Sequence, residues 1–319
     1  MACDFDVDSV SDAYDEKVLL IPPLPSRKAM IGIALALLAA MISGLAVILV
    51  RKNDRESNAF NVSLIISCVG MVILWPLAML MTDFGATTVE GIAFFAISGV
   101  LSPGIVRLFY YSGLKRLGAS VNSSIFAVYP LYSSLLAVLF LSEILSAGNW
   151  LGILLVILGG FFVELSSRKI NNRRESSKNA VILPILGGLT LGVSSITRKY
   201  ALNIFNAPVL GVAVGYSFSL LTYALILMFS APTRKKLSLK QDLRYFWKAG
   251  IGQALAWILT FYALSYELVS IVTPLLAIEP IFVVFFAYLY LRKLEHVSPK
   301  LVVSIILTVF GAVLVTTKL

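Results

Sequence analysis

Glu279 and Pro280 stand side by side at the centre of VSIVTPLLAIEPIFVVFFAYLYL, residues 269–291, a run long enough to cross a bilayer core as a helix. A carboxylate at mid-membrane costs about 2.5–3.5 kcal/mol on insertion scales, so such a residue faces a cavity or a partner. Proline removes a backbone donor and bends the helix, which suits a span that lines a cavity. Glu279 is therefore expected on the wall of a substrate site, as a proton-titrating or amine-binding group. Arg107, within GIVRLFYYSG, is a second charge inside an apolar stretch. It is expected to face the same cavity, paired with Glu279 directly or through substrate.

Around these two charges, helical spacing places Arg107 and Tyr111 on one face, with Tyr110 adjacent, and makes a stripe of Gln253, Trp257 and Thr260. Aromatic rings with polar edges stack on a ligand and offer one hydrogen bond each, as a mostly apolar pocket requires. Asn122 and Tyr129 complete the candidate substrate-binding set: Glu279, Arg107, Tyr110, Tyr111, Asn122, Tyr129, Gln253 and Trp257. The remaining serines and threonines of these spans, Ser194, Ser195 and Thr197 among them, are read as helix-packing groups.

Other chemistries lack material. His296 is the only histidine, and Cys3 and Cys68 have no metal-ligand spacing, so no metal or cofactor is expected. Glycine-rich phosphate loops and nucleophile elbows are missing, and no enzyme activity is expected. Asn61-Val62-Ser63 and Asn122-Ser123-Ser124 match the glycosylation sequon but lie in or against apolar spans, and are discounted.

The elements that must hold these residues follow from composition. The chain is 59% hydrophobic and 13% charged, with a mean hydropathy of +0.90. Soluble domains are about 45–50% apolar and about 25% charged, so this is a polytopic membrane protein. Ten apolar stretches of spanning length fall at about 30–50, 61–81, 91–112, 119–141, 148–165, 181–200, 208–230, 249–265, 269–291 and 300–316. Residues 1–28 form an acidic, proline-containing tail expected to be disordered.

A shift of 150 positions lays Leu114, Ser120, Ala127, Pro130 and Ala137 onto Leu264, Ser270, Ala277, Pro280 and Ala287. It also lays Arg107 on Trp257 and Tyr129 on Glu279. A shift of 147 lays Arg51-Lys52 on Arg198-Lys199, each read as closing a span. The expected fold class is all-α: ten transmembrane helices as two inverted five-helix repeats, because an odd repeat re-enters the membrane from the opposite side. The repeats are expected at 29–166 and 180–319, joined by a basic linker at 167–179.

The formal charge of +9 reflects topology, not nucleic acid. Lysines and arginines crowd the odd-numbered loops, for example Arg51, Lys52 and Arg55 after the first span and Arg234, Lys235 and Lys236 after the seventh. Even-numbered loops hold only Arg198 and Lys199. The positive-inside rule then places the odd loops in the cytoplasm and both termini outside.

The blocks GLKRLGASVNSSIFAVYPLYSSLLAVLFLSEILSAGNWLGILLVILGG and ALSYELVSIVTPLLAIEPIFVVFFAYLYLRKLEHVSPKLVVSIILTVFGAVLV resemble the two halves of an EamA-type protein of the drug/metabolite transporter superfamily. That family runs from an alanine-leucine pair through a mid-helix proline to an L-G-E-like end and a glycine-containing last span. The resemblance covers about residues 29–317. It implies ten helices around a central cavity that carry a small metabolite or drug across the cell membrane, as a permease and commonly an exporter. The partners implied are a small-molecule substrate and the lipid bilayer, with proton coupling through Glu279 as an expectation. The L-G-E end maps to Leu141-Ser142-Glu143, whereas Leu291-Arg292-Lys293 in the second half departs from it. Glu143 is expected to be a structural helix-end residue. Two rival readings are a membrane-embedded enzyme acting on lipid-linked substrates and a non-transporting partner subunit.

Overall fold

A computed structural model describes residues 26–52, 58–117, 122, 125–166, 178–235, 237–291 and 299–317. The tail up to residue 25 and the linker from 167 to 177 lie outside the described residues. The principal helices are α1 (Arg27–Lys52), α2 (Ala59–Met81), α3 (Val89–Gly99), α4 (Val106–Leu117), α5 (Tyr129–Leu141), α6 (Ala147–Ser166), α7 (Ile182–Ile204), α8 (Pro208–Phe229), α9 (Leu239–Tyr266), α10 (Val269–Leu276), α11 (Glu279–Leu291) and α12 (Pro299–Thr316). Every stretch expected to span is occupied by helix. Five segments are both long and apolar enough to cross a membrane, namely Arg27–Val50, Phe60–Met81, Val89–Tyr110, Pro208–Phe229 and Val269–Tyr290. Three shorter apolar helices, Tyr129–Leu141, Ala147–Phe162 and Val303–Thr316, accompany them.

Side chains are sorted inside out relative to a soluble protein. Val72, Leu80, Leu139 and Phe229 point outward and are more than 70% exposed, while Ser67, Ser134, Ser270 and Arg198 are buried. A continuous apolar exterior of this kind is matched by hydrocarbon. Helix contacts repeat between the halves: α1 packs on α9 as α7 packs on α3, α1 on α11 as α7 on α5, and α2 on α9 as α8 on α3. The pairs α2 with α8 and α6 with α12 join each helix to its own counterpart. Exchange of two halves about a two-fold axis gives this pattern. At the α6–α12 crossing the backbones approach so closely that a Cβ on Gly152 would sit 2.7 Å from the Gly311 carbonyl, and one on Gly311 would sit 2.7 Å from the Gly152 carbonyl.

Three spans are broken. The third is interrupted at Ser102, whose φ of −147° and ψ of 120° are extended, just before Pro103. The fourth turns at Ala127-Val128 before α5 starts at Tyr129-Pro130, and the ninth turns at Ala277-Ile278 before α11 starts at Glu279-Pro280. The bend expected at Pro280 is therefore a full break, because proline at a helix start loses no intrahelical bond. The helix of the eighth expected span, α9, begins at Leu239 and not near 249, since Ser238 and Asn61 anchor the side chain of Asp242, at 2.6 and 2.9 Å, in its first turn. Asn61 is accordingly 1% exposed and packed inside the bundle.

Ser142, the residue in the glycine position of the L-G-E pattern, ends α5 in the left-handed region, with φ 54° and ψ 34°. Only glycine occupies that region without a penalty of about 1–2 kcal/mol. Ser142→Gly is expected to stabilise the protein by about 1 kcal/mol, read as a higher unfolding temperature in detergent; an unchanged or lower one contradicts this assignment.

Candidate substrate cavity

A cavity of about 310 Å³ lies between the halves. All three helix breaks contribute to its wall, through Ser102 and Pro103, through Ala127 and Tyr129, and through Ala277, Glu279 and Pro280. Helix ends pointing into the fold leave polar backbone facing a cavity, where it is tolerated at membrane depth. Along α1 the lining runs from Ala39 to Val50, two residues short of the helix end at Lys52. Along α9, which runs antiparallel to α1, the lining stops at Thr260, and along α7 it stops at Arg198. The lining begins only at Leu191 on α7 and at Gln253 on α9, so on both helices it lies away from the basic odd-numbered loops, and the cavity is central to the bundle.

Two helix caps tie the bundle at the junction of α9 and α10. Glu143, 6% exposed, accepts hydrogen bonds from the backbone N–H groups of Val269 at 2.8 Å and Ser270 at 3.0 Å, and a short one from the Ser270 hydroxyl. A carboxylate at that place satisfies the orphan donors at the start of α10 and opposes the positive end of its dipole. Lys199 Nζ donates to the carbonyls of Leu264 at 2.6 Å and Glu267 at 3.0 Å, closing the end of α9. Glu143 thus holds structure, as its helix-end position implied.

Six of the eight candidate residues line the cavity: Glu279, Arg107, Tyr110, Tyr129, Gln253 and Trp257. Glu279 Oε2 accepts from Ser43 Oγ at 2.8 Å, and Ser43 Oγ accepts from Gln253 Nε2 at 3.2 Å, so α1, α9 and α11 are linked in one polar chain. The Tyr129 hydroxyl donates to the Thr273 carbonyl at 3.0 Å, in the segment just before the break in the ninth span. Arg107 Nη1 donates to Ser67 Oγ at 3.0 Å, and its guanidinium lies 5.6 Å from the Tyr216 ring centre. Asn122 is off the cavity: it is fully buried and donates to the Tyr110 carbonyl at 3.0 Å. Its short amide fixes chain direction near the α4 terminus and does not reach the lumen. Tyr111 belongs to α4, and its side chain lies outside the described residues.

Arg198 was missed as a site residue. Counted as a loop charge closing the sixth span, it instead lies inside α7, six residues before the helix end at Ile204, 2% exposed and on the cavity wall. Its guanidinium stacks 4.4 Å from the Trp257 ring centre and 5.0 Å from that of Phe261. Two sequence signals pointed inward: the apolar Ala201 and Leu202 that follow it, and Ser194 four residues earlier, whose hydroxyl accepts from Nη2 at 2.8 Å.

Two helical repeats around a central, mostly apolar cavity with a few charged and polar side chains on its wall define an integral membrane protein. The EamA-like transporter family matches residues 30–165 and again residues 178–317, and the chain belongs to that family. An uncharacterized transporter of Archaeoglobus fulgidus is 25% identical over 289 residues, covering 89% of this chain and 98% of the relative. An uncharacterized transporter of Clostridium kluyveri is 24% identical over 148 residues, 46% of this chain and 48% of the relative. The uncharacterized transporter YwfM of Bacillus subtilis is 28% identical over 107 residues, 34% of this chain and 36% of the relative. The chain thus spans less than half the length of the latter two. A solved crystal structure superposes with a TM-score of 0.71 at 13% identity, covering 89% of this chain and 96% of that one, which establishes the fold. The chain is an integral membrane protein of a transporter family.

Proposed function

We propose that the protein is a secondary carrier that moves a small metabolite or drug across the cell membrane by alternating access, in the export direction, with the central cavity as its substrate site. Residues 29–166 and 180–319 serve as the two rocking halves, joined by the basic linker at 167–179. The observation that carries this reading is a cavity walled by both halves at three helix breaks. Glu279, hydrogen-bonded to Ser43 and linked through it to Gln253, is the group that would bind a substrate amine or carry a proton. Arg107, Tyr110, Tyr129 and Trp257 shape the rest of the site. The test is solute flux from proteoliposomes loaded with a metabolite panel. Protein-dependent, saturable efflux of at least one class supports the carrier. Solutes that bind without crossing would instead make the protein a receptor or partner subunit.

A further inference from the structure

Arg198 is a permanent charge on the cavity wall with no counter-charge among the described residues. A guanidinium stays protonated in proteins, and buried charges are ordinarily paired as well as hydrogen-bonded. Here Nη2 has the Ser194 hydroxyl at 2.8 Å and a long contact of 3.5 Å to the Ser102 carbonyl. Nε is buried with no acceptor. Among the described residues no carboxylate pairs with Arg198, and the ring faces of Trp257 and Phe261 supply only weak compensation. Arg107 adds a second cation to the cavity wall, and the acid on that wall, Glu279, has its Oε2 engaged by Ser43. The lumen therefore carries more positive than negative charge.

We infer that the carried solute bears a carboxylate or similar anionic group, which docks on Arg198 while an apolar or planar body lies along Trp257 and Phe126 of the cavity wall. This rests on the reading of the cavity as the substrate site. An arginine suits the task because its planar, weakly hydrated fork recognises carboxylates with directed hydrogen bonds. A buried charge on the cavity wall with no carboxylate partner among the described residues is the feature such a group completes.

Thermal unfolding of the purified full chain in detergent tests this, with acetate, benzoate and phenylacetate set against their neutral amides, and sodium chloride and sodium sulfate at matched ionic strength. Carboxylates are expected to raise the unfolding temperature of the wild type and the amides to leave it unchanged. Arg198→Gln should weaken the carboxylate effect by about a hundredfold, the loss typical of truncating one side of a buried charge pair. Ligand-free Arg198→Met should unfold at or above the wild-type temperature, because it removes a buried charge that lacks a partner. Amides as effective as carboxylates, no carboxylate effect anywhere in the series, or a carboxylate effect intact in Arg198→Gln would overturn the inference. So would chloride or sulfate alone reproducing the shift, which makes the partner an inorganic ion. A neutral probe whose effect depends on Trp257 but not Arg198 overturns the anionic class and keeps the cavity. Probes that ignore Trp257, Glu279 and Arg198 alike remove the cavity itself as the site.

Discussion

Glu279→Gln is expected to leave a folded protein that no longer transports. The substitution is isosteric, and the amide oxygen still accepts from the Ser43 hydroxyl that lies 2.8 Å from Oε2. Replacing a buried charge by a neutral group of equal volume is often neutral for stability, so the unfolding temperature should hardly move. What disappears is the negative charge at the restart of the ninth span, facing the lumen. If that charge binds a substrate amine, affinity should fall about a hundredfold, or roughly 3 kcal/mol. If it carries a proton, flux should lose its dependence on an imposed pH gradient. Proteoliposome flux with and without the gradient separates the two. Wild-type rate and wild-type gradient dependence in Glu279→Gln would remove this residue from the mechanism.

Glu143→Ala is expected to produce the largest loss of stability. Its carboxylate holds two backbone N–H groups and one hydroxyl at the start of α10, all inside the bundle. Removing it strands those donors at about 1–3 kcal/mol for each unsatisfied buried group and forfeits a helix cap worth about 1 kcal/mol. A total of about 3 kcal/mol or more, read as a marked fall in unfolding temperature, is the outcome consistent with a cap. Glu143→Gln should recover only part of it, because an amide brings one acceptor oxygen and an NH₂ that opposes the second donor. A near-wild-type unfolding temperature for Glu143→Ala would show that water replaces the carboxylate and that the junction of α9 and α10 is open.

Much of the fold was legible because hydrophobic length is a strong signal in membranes: no backbone can cross hydrocarbon unless it is helical or in a closed barrel. An acid at the centre of a span was legible for the same reason, and Glu279 lines the cavity. Arg198 was hidden by its neighbour. An Arg-Lys pair near the expected end of a span resembles an interface anchor, and the helix reaches Ile204 only because Ala201 and Leu202 continue its buried face. Both side chains are held inside the protein, Lys199 by the carbonyls that end α9 and Arg198 by the Ser194 hydroxyl and two aromatic rings, the latter with no carboxylate partner among the described residues. The even-numbered loops thereby lose their only counted basic residues, which strengthens the charge bias toward cytoplasmic odd loops. Helix breaks were half legible. Pro103, Pro130 and Pro280 were visible in the sequence, but whether a proline bends a helix or starts a new one is decided by the preceding backbone, which tertiary packing sets.

The carrier reading stands or falls on whether the cavity is exposed to each side of the membrane in turn. The direct measurement is Ser43→Cys in a background with Cys3 and Cys68 replaced by serine, reacted with a membrane-impermeant maleimide from either face of oriented vesicles. Reaction from both faces is predicted, with the two rates shifting in opposite directions when a transported solute is added to one side. Reaction from one face alone, unaltered by any solute that binds, would mean that the cavity is a blind pocket and that the protein does not carry its ligand across.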